Sequence, residues 1–248
     1  VSIQIHPRSA ARMAEVGKGE ATLVLTGPPY FPNELEEELA DMARLKRRID
    51  ALERELLAFA ARLRPVFEEC ARVLAPAGVL VLQTRDVRLA SRLVAVEGTH
   101  RLHAEALGLH LYARHEWRAL HDSPARRRDL WLASQRGQPR ATDAEVFLVF
   151  FHEHPPAPGA PTAEDLALLS SPTLVTARGR VPFPHRHQAP LPVLEALVRC
   201  YSRPGDLVVD PFTGGGSTLL VCAALGRRGI GYEIDPDAFA LAERNLRA

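Results

Sequence analysis

The chain has 248 residues, a formal net charge of +1, 46% hydrophobic residues and 25% charged residues. Those proportions fit one large folded α/β domain, with or without a small inserted lobe, and exclude a disordered chain or a polycation. No apolar run approaches a membrane span and the N-terminus lacks an apolar signal region, so a cytoplasmic protein with no membrane partner is expected.

Residues 21–26 (ATLVLT) predict a buried strand, and Gly27, Pro28, Pro29 and Tyr30 stop it. A proline has no N–H and a fixed φ, so neither ladder nor helix continues through the pair. Gly27 is pushed toward extended geometry by the proline after it. The result is a stiff corner with exposed carbonyls and an aromatic at its tip.

From Asn33 to Arg64 the apolar residues Leu35, Leu39, Met42, Leu45, Ile49, Leu52, Leu56, Phe59 and Leu63 step by threes and fours. That spacing predicts a long amphipathic helix, lying on its own domain or forming the seam of a homodimer. Pro65 is expected to kink or restart it, and 66–78 (VFEECARVLAPAG) continues as a helix closed by Pro76 and Gly78. VLVLQTRD (79–86) is a predicted strand. Residues 92–117 read as helix, Gly108, then strand. Residues 121–142 lack periodicity and carry Arg126, Arg127, Arg128, Trp131, Arg136 and Arg140. These suit a DNA-facing loop or a solvated basic one.

EVFLVFFH (145–152) is a predicted strand, and the Pro- and His-rich residues 153–192 are expected to be irregular. LPVLEALVRCYS then predicts a helix, DLVVD a strand, GGGSTLLVCAALG a loop and helix, GIGYEID a strand, and 236–248 a final helix. Strands alternating with helices argue for a doubly wound, mostly parallel sheet. The three cysteines, Cys70, Cys200 and Cys222, lack CxxC spacing and read as reduced thiols, with no metal site expected.

The C-terminal stretch carries the most chemistry. Asp210 ends a buried strand, Gly214 to Gly216 form a turn of little bulk, and Ser217 and Thr218 open a helix. Such a turn lets backbone approach a ligand, and the helix start offers free N–H groups. Glu233, at the end of the next strand, stands where an acid holds a ribose diol in nucleoside-binding α/β folds. The turn does not fit GxGxxG and lacks the lysine of a P-loop.

DPFTGGGST (210–218) resembles the DPFxGxGTT motif of the amino-methylating DNA methyltransferases, and GYEID (231–235) their next motif. TGPPY (26–30) resembles their catalytic (Ser/Asp/Asn)-Pro-Pro-(Tyr/Phe/Trp) motif, and HRHQAPLP (185–192) the segment before the cofactor strand. With the PPY corner first and the cofactor motif last, the order is the permuted one called the β class. The resemblance covers nearly the whole chain, apart from the long helix at 33–64.

The resemblance implies a single methyltransferase domain, 1–248, of the class I (Rossmann-like) fold, with a long helix insertion at 33–64 and a target-recognition region at 118–184. It implies S-adenosyl-L-methionine held by Asp210, Phe212, Gly214, Gly216, Ser217, Thr218, Glu233, His187 and Ala189. Gly27, Pro28, Pro29 and Tyr30 become the catalytic corner, and double-stranded DNA the partner, as in the modifying half of a restriction–modification system. No metal is needed, because a sulfonium leaving group already activates the methyl.

An exocyclic amine is a poor nucleophile, and acceptors placed around its hydrogens localise its lone pair. The rigid carbonyls of Gly27 and Pro28 suit that task, and Tyr30 offers a stacking face for a flipped base. Family members place Ser (mostly cytosine) or Asp or Asn (mostly adenine) at position 27; glycine leaves one acceptor missing. A small neutral residue is closer to Ser, which favours N4 of cytosine. N6 of adenine, an RNA base, and a catalytically weak cofactor- and DNA-binding subunit are the alternatives.

Overall fold

In a computed structural model of the chain, the residues described are 2–29, 42–89, 92–119, 140–141, 145–156, 159–171, 173–177, 179–183 and 188–248. Their elements, in chain order, begin with β1 (Ile3–His6), β2 (Ala21–Thr26), α1 (Met42–Val73), β3 (Leu74–Thr84), β4 (Val87–Leu89), β5 (Arg92–Val94), α2 (Val96–Ala106) and β6 (His110–Ala119). There follow β7 (Arg140–Ala141), β8 (Glu145–Phe151), α3 (Ala163–Leu169), β9 (Thr173–Thr176), α4 (Leu191–Tyr201), β10 (Leu207–Asp210), α5 (Ser217–Ala224), β11 (Arg228–Tyr232) and α6 (Pro236–Arg247).

Eight strands form one sheet in the order β1-β11-β10-β2-β3-β8-β6-β9, all running the same way except β8. The central strands are apolar on both faces because helices cover both. Val24, Leu80, Leu82, Leu148 and Val209 face a core built with Phe59, Leu63, Val66 and Phe67 of α1. Leu23, Leu25, Val79, Val81 and Phe147 face the other core, with Val193, Leu194, Leu197 and Val198 of α4. The doubly wound, mostly parallel sheet expected from the alternation is the fold observed. No described helix is long and apolar enough to cross a membrane.

Several local expectations are corrected. α1 runs unbroken through Pro65 instead of restarting there. A proline inside a helix costs about 3 kcal/mol, and burial of Phe59, Leu63, Val66, Phe67 and Cys70 on either side outweighs it. The helix closes at Val73, not at Pro76 and Gly78, which already lie in β3. Ala21 pairs with Leu74 and Leu23 with Val79, so the extra residues between them are absorbed as a bulge.

Residues 153–192 are not irregular throughout. Thr162 and Asp165 form a reciprocal capping box that starts α3, and β9 adds a parallel edge strand to β6. Nor did the sequence point to β1, whose four residues are too few to show periodicity. It pairs in parallel with β11.

Of the long apolar stripe, Leu56, Phe59 and Leu63 pack in the chain's own core. Residues 33–41 lie outside the described residues, as do the side chains of Met42, Leu45, Ile49 and Leu52. The three cysteines are free.

Candidate active site

β10 and β2 are neighbours, yet the chain leaves β10 toward β11 on one side and β2 toward β3 on the other. At such a switch point the connections diverge and leave a crevice beyond the strand ends, where ligands of open α/β sheets bind. A cavity of about 570 Å³ opens there. One wall is Thr26, Gly27, Pro28 and Pro29 after β2; the opposite wall is Asp210 and residues 212–215 after β10. Glu233 and Ile234 stand at one end, and Gln83, Gln188, Ala189, Ser217 and Thr218 are also in the lining.

The two walls are tied directly. The Thr26 hydroxyl donates to Asp210 Oδ1 at 2.6 Å, and the Phe212 N–H reaches both Thr26 Oγ1 and Asp210 Oδ1 at 3.2 Å. Thr26 and Asp210 are both buried. Burial pushes the Asp210 carboxyl up to about 6, the charge of Glu233 adds to this, and hydrogen bonds from Thr26, Thr218 and the Phe212 N–H oppose it.

The glycine turn is held from below. Glu233 accepts the Gly214 N–H through one oxygen and the Asp235 N–H through the other, each at 2.8 Å. Asp235 then caps α6 by accepting from the N–H groups of Asp237 and Ala238. From the far side, buried Asn245 donates to Gly215 O at 2.8 Å and to Phe183 O at 2.9 Å, while accepting from Phe183 N–H. Gly231 is dictated by close approach, since a Cβ there would meet Leu219 at 2.8 Å and overlap Thr213 Oγ1.

Among the residues expected at the site, Gly27, Pro28, Pro29, Ala189, Asp210, Phe212, Gly214, Ser217, Thr218 and Glu233 line this one cavity. Gly216 does not. At φ +87° it turns the chain into α5, with Ala242 3.3 Å from where its Cβ would be. Tyr30, His187, Arg126, Arg127, Arg128, Trp131 and Arg136 lie outside the described residues. Arg140 sits in β7, in register with Arg88 of β4, on a small separate sheet that follows the end of β3.

Sequence reasoning missed Gln83, Ile234 and Asn245. Gln83 had a signal, being the first polar residue after an unbroken apolar run in β3. Asn245 had none, because its partners are 30 and 62 residues away.

A switch-point cavity with a glycine turn on one strand, an acid after the next and a rigid prolyl corner opposite defines a class I methyltransferase fold with a nucleoside-type cofactor site. The family model described as DNA methylase, for the N6 and N4 enzymes, matches residues 127–244. Type II methyltransferase M.MjaI of Methanocaldococcus jannaschii is 28% identical over 272 residues, covering 96% of this chain and 88% of that protein. The structure of TTHA0409 of Thermus thermophilus, complexed with S-adenosyl-L-methionine, superposes with a TM-score of 0.68 at 27% identity, covering 100% of this chain and 95% of that one. The PvuII DNA methyltransferase (cytosine-N4-specific) shares the fold at a TM-score of 0.75 and 16% identity, over 99% of this chain and 86% of that one. In sequence and in fold the chain is thus similar to the amino-methylating DNA methyltransferases.

Proposed function

We propose that the chain is an S-adenosyl-L-methionine-dependent DNA methyltransferase that methylates the exocyclic amine of a flipped base, with N4 of cytosine ahead of N6 of adenine. The observation that carries this reading is the single cavity shared by the Gly27-Pro28-Pro29 corner and the Asp210–Glu233 turn. Cofactor and base would meet there.

The donor set fits the cofactor. Glu233 is fixed by two backbone N–H groups, and each oxygen keeps a lone pair for a ribose hydroxyl. Ile234, 73% exposed, offers an apolar face for a purine. When bound, S-adenosyl-L-methionine supplies an electrophilic methyl: the amine lone pair forms the N–C bond, the S–C pair returns to sulfur, and the nitrogen gives one proton to solvent. The corner's part is to receive the flipped base and to aim carbonyls at its amino hydrogens.

Cytosine is placed first because position 27 is small and uncharged. Arg126, Arg127, Arg128, Trp131, Arg136 and Arg140 are proposed to contact DNA, within a target-recognition region at 118–184. A homodimer through residues 33–64 is proposed only for the N-terminal part of that helix, because Phe59 and Leu63 are buried in the chain's own core. A monomer in light scattering at high concentration would end it.

Incubation with labelled S-adenosyl-L-methionine and either DNA or RNA, followed by nucleoside mass spectrometry, tests the main reading. N4-methylcytosine in DNA is expected. N6-methyladenine alone would overturn the base assignment, and label only in RNA would overturn the substrate. Cofactor binding without any transfer would favour the catalytically weak subunit.

A further inference from the structure

Resting on that reading, we infer that Gln83 supplies the hydrogen-bond acceptor that Gly27 lacks, its side-chain oxygen receiving one hydrogen of the target amine. Position 27 is bare, and the space beside it belongs to Gln83. A Cβ built on Gly27 would lie 3.7 Å from Gln83 Cβ and 3.8 Å from Gln83 Oε1. The oxygen therefore sits against the volume that a Ser or Asp side chain would occupy. Gln83 is buried, yet it lines the cavity together with Gly27, Pro28 and Pro29.

The amide orientation is decided by its neighbour. Gln83 Nε2 donates to the carboxylate of buried Glu145 on the adjacent strand β8. A carboxylate accepts and does not donate, so the nitrogen of Gln83 must face Glu145 and the oxygen must face the other way. Glu145 is a positioning residue in this arrangement. An amide oxygen is a neutral acceptor like the serine hydroxyl it replaces, and it holds an amino hydrogen without taking the proton. Two rigid carbonyls and this third acceptor would surround the nitrogen and leave its lone pair directed at the methyl.

The assignment gives a pair of coupled expectations. Gln83→Met removes the acceptor at similar volume; because it also strips a partner from Glu145, it is made alone and with Glu145→Leu, which removes both polar groups together. Both proteins should bind S-adenosyl-L-methionine by calorimetry within about twofold of wild type, since the proposed ribose contacts are made by Glu233 and not by Gln83. Their kcat should fall about 100-fold with KM for DNA little changed. Adding Gly27→Ser to either should restore at least about a tenth of the wild-type kcat, a rescue that a purely structural role for Gln83 does not allow.

A readout without cofactor is the preference of the protein for a duplex carrying the target amine over its deamino analogue. It should be about three- to tenfold in wild type and lost in Gln83→Met. Wild-type-like kcat in both variants, a loss that Gly27→Ser does not repair, or an unchanged amine preference would overturn the inference while leaving the methyltransferase reading intact. A wild-type protein that methylates no nucleic acid overturns both.

Discussion

Thr26 and Asp210 are 184 residues apart in the chain and 2.6 Å apart in the fold, hydroxyl to carboxylate. Their hydrogen bond joins the strand that ends in the prolyl corner to the strand that begins the glycine turn. It also locates the Phe212 N–H, which reaches both oxygens. Thr26→Val keeps the shape and removes the bond, leaving a buried carboxylate with fewer partners. Urea denaturation should show a loss of about 1–3 kcal/mol, with weaker cofactor binding in calorimetry. Unchanged stability would mean that the two walls are held independently.

Asp210 and His100 oppose each other in acid. Burial raises Asp210 to about 6, so its folded form holds a proton more tightly than the unfolded chain, and stability falls as pH rises from near 4 to about 6. Burial lowers His100 to about 4, with His103 adding, so stability falls as pH drops from 6.5 toward 4. The two slopes share a window and largely cancel. Asp210→Asn should therefore raise stability at pH 8 by roughly 1–3 kcal/mol and steepen the loss in acid. His100→Gln, which still offers the Thr84 hydroxyl a partner, should show the reverse slope. Denaturant titrations from pH 4 to 8 decide it; identical profiles for both variants would contradict these protonation states.

Glycines 27 and 231 should behave in opposite ways. Gly27 is not in the left-handed region, and an added Cβ makes only ordinary contact. Gly27→Ser should fold with stability unchanged or raised by about 0.4–1 kcal/mol through the stiffer unfolded chain. Gly231→Ala must displace both Thr213 and Leu219 and should lose about 1–3 kcal/mol. Thermal melts of the pair check both, and a destabilised Gly27→Ser would show that the space beside Gln83 is not open.

Glu233→Ala should weaken S-adenosyl-L-methionine binding by about 1–3 kcal/mol. It removes the proposed ribose acceptor and also frees the N–H groups of Gly214 and Asp235. Calorimetry with an unchanged Kd would take Glu233 out of the cofactor site.

Asn245→Leu deletes the hydrogen bonds to Phe183 and Gly215 from a nearly inaccessible position. A loss of roughly 1–3 kcal/mol is expected in denaturation. Because Gly215 lines the cavity, cofactor affinity should fall as well; if only stability falls, the turn is held without α6.

The sequence by itself determined the class of fold and the two halves of the site. Buried strands are read from short apolar runs, and helices from steps of three and four, because each pattern repeats within a few residues. The GPP corner and the DPFTGGGST turn were legible for the same reason: proline's missing N–H, glycine's missing Cβ and a strand-ending acid are local facts. Where burial competes with a local rule, sequence reasoning failed. Pro65 does not restart α1, because the apolar face on either side is fixed in the core. Thr162 and Asp165 start a helix in a stretch that composition alone marked as irregular.

Only the tertiary structure decided that both motifs face one cavity, since that follows from the pairing of β2 with β10 across most of the chain. The same holds for Gln83. Its polarity in β3 was visible, but its orientation depends on Glu145, brought alongside by antiparallel pairing with β8. Hydrogen bonds between distant strands leave no periodic trace in the sequence, because the partner's position is set by the sheet and not by spacing along the chain.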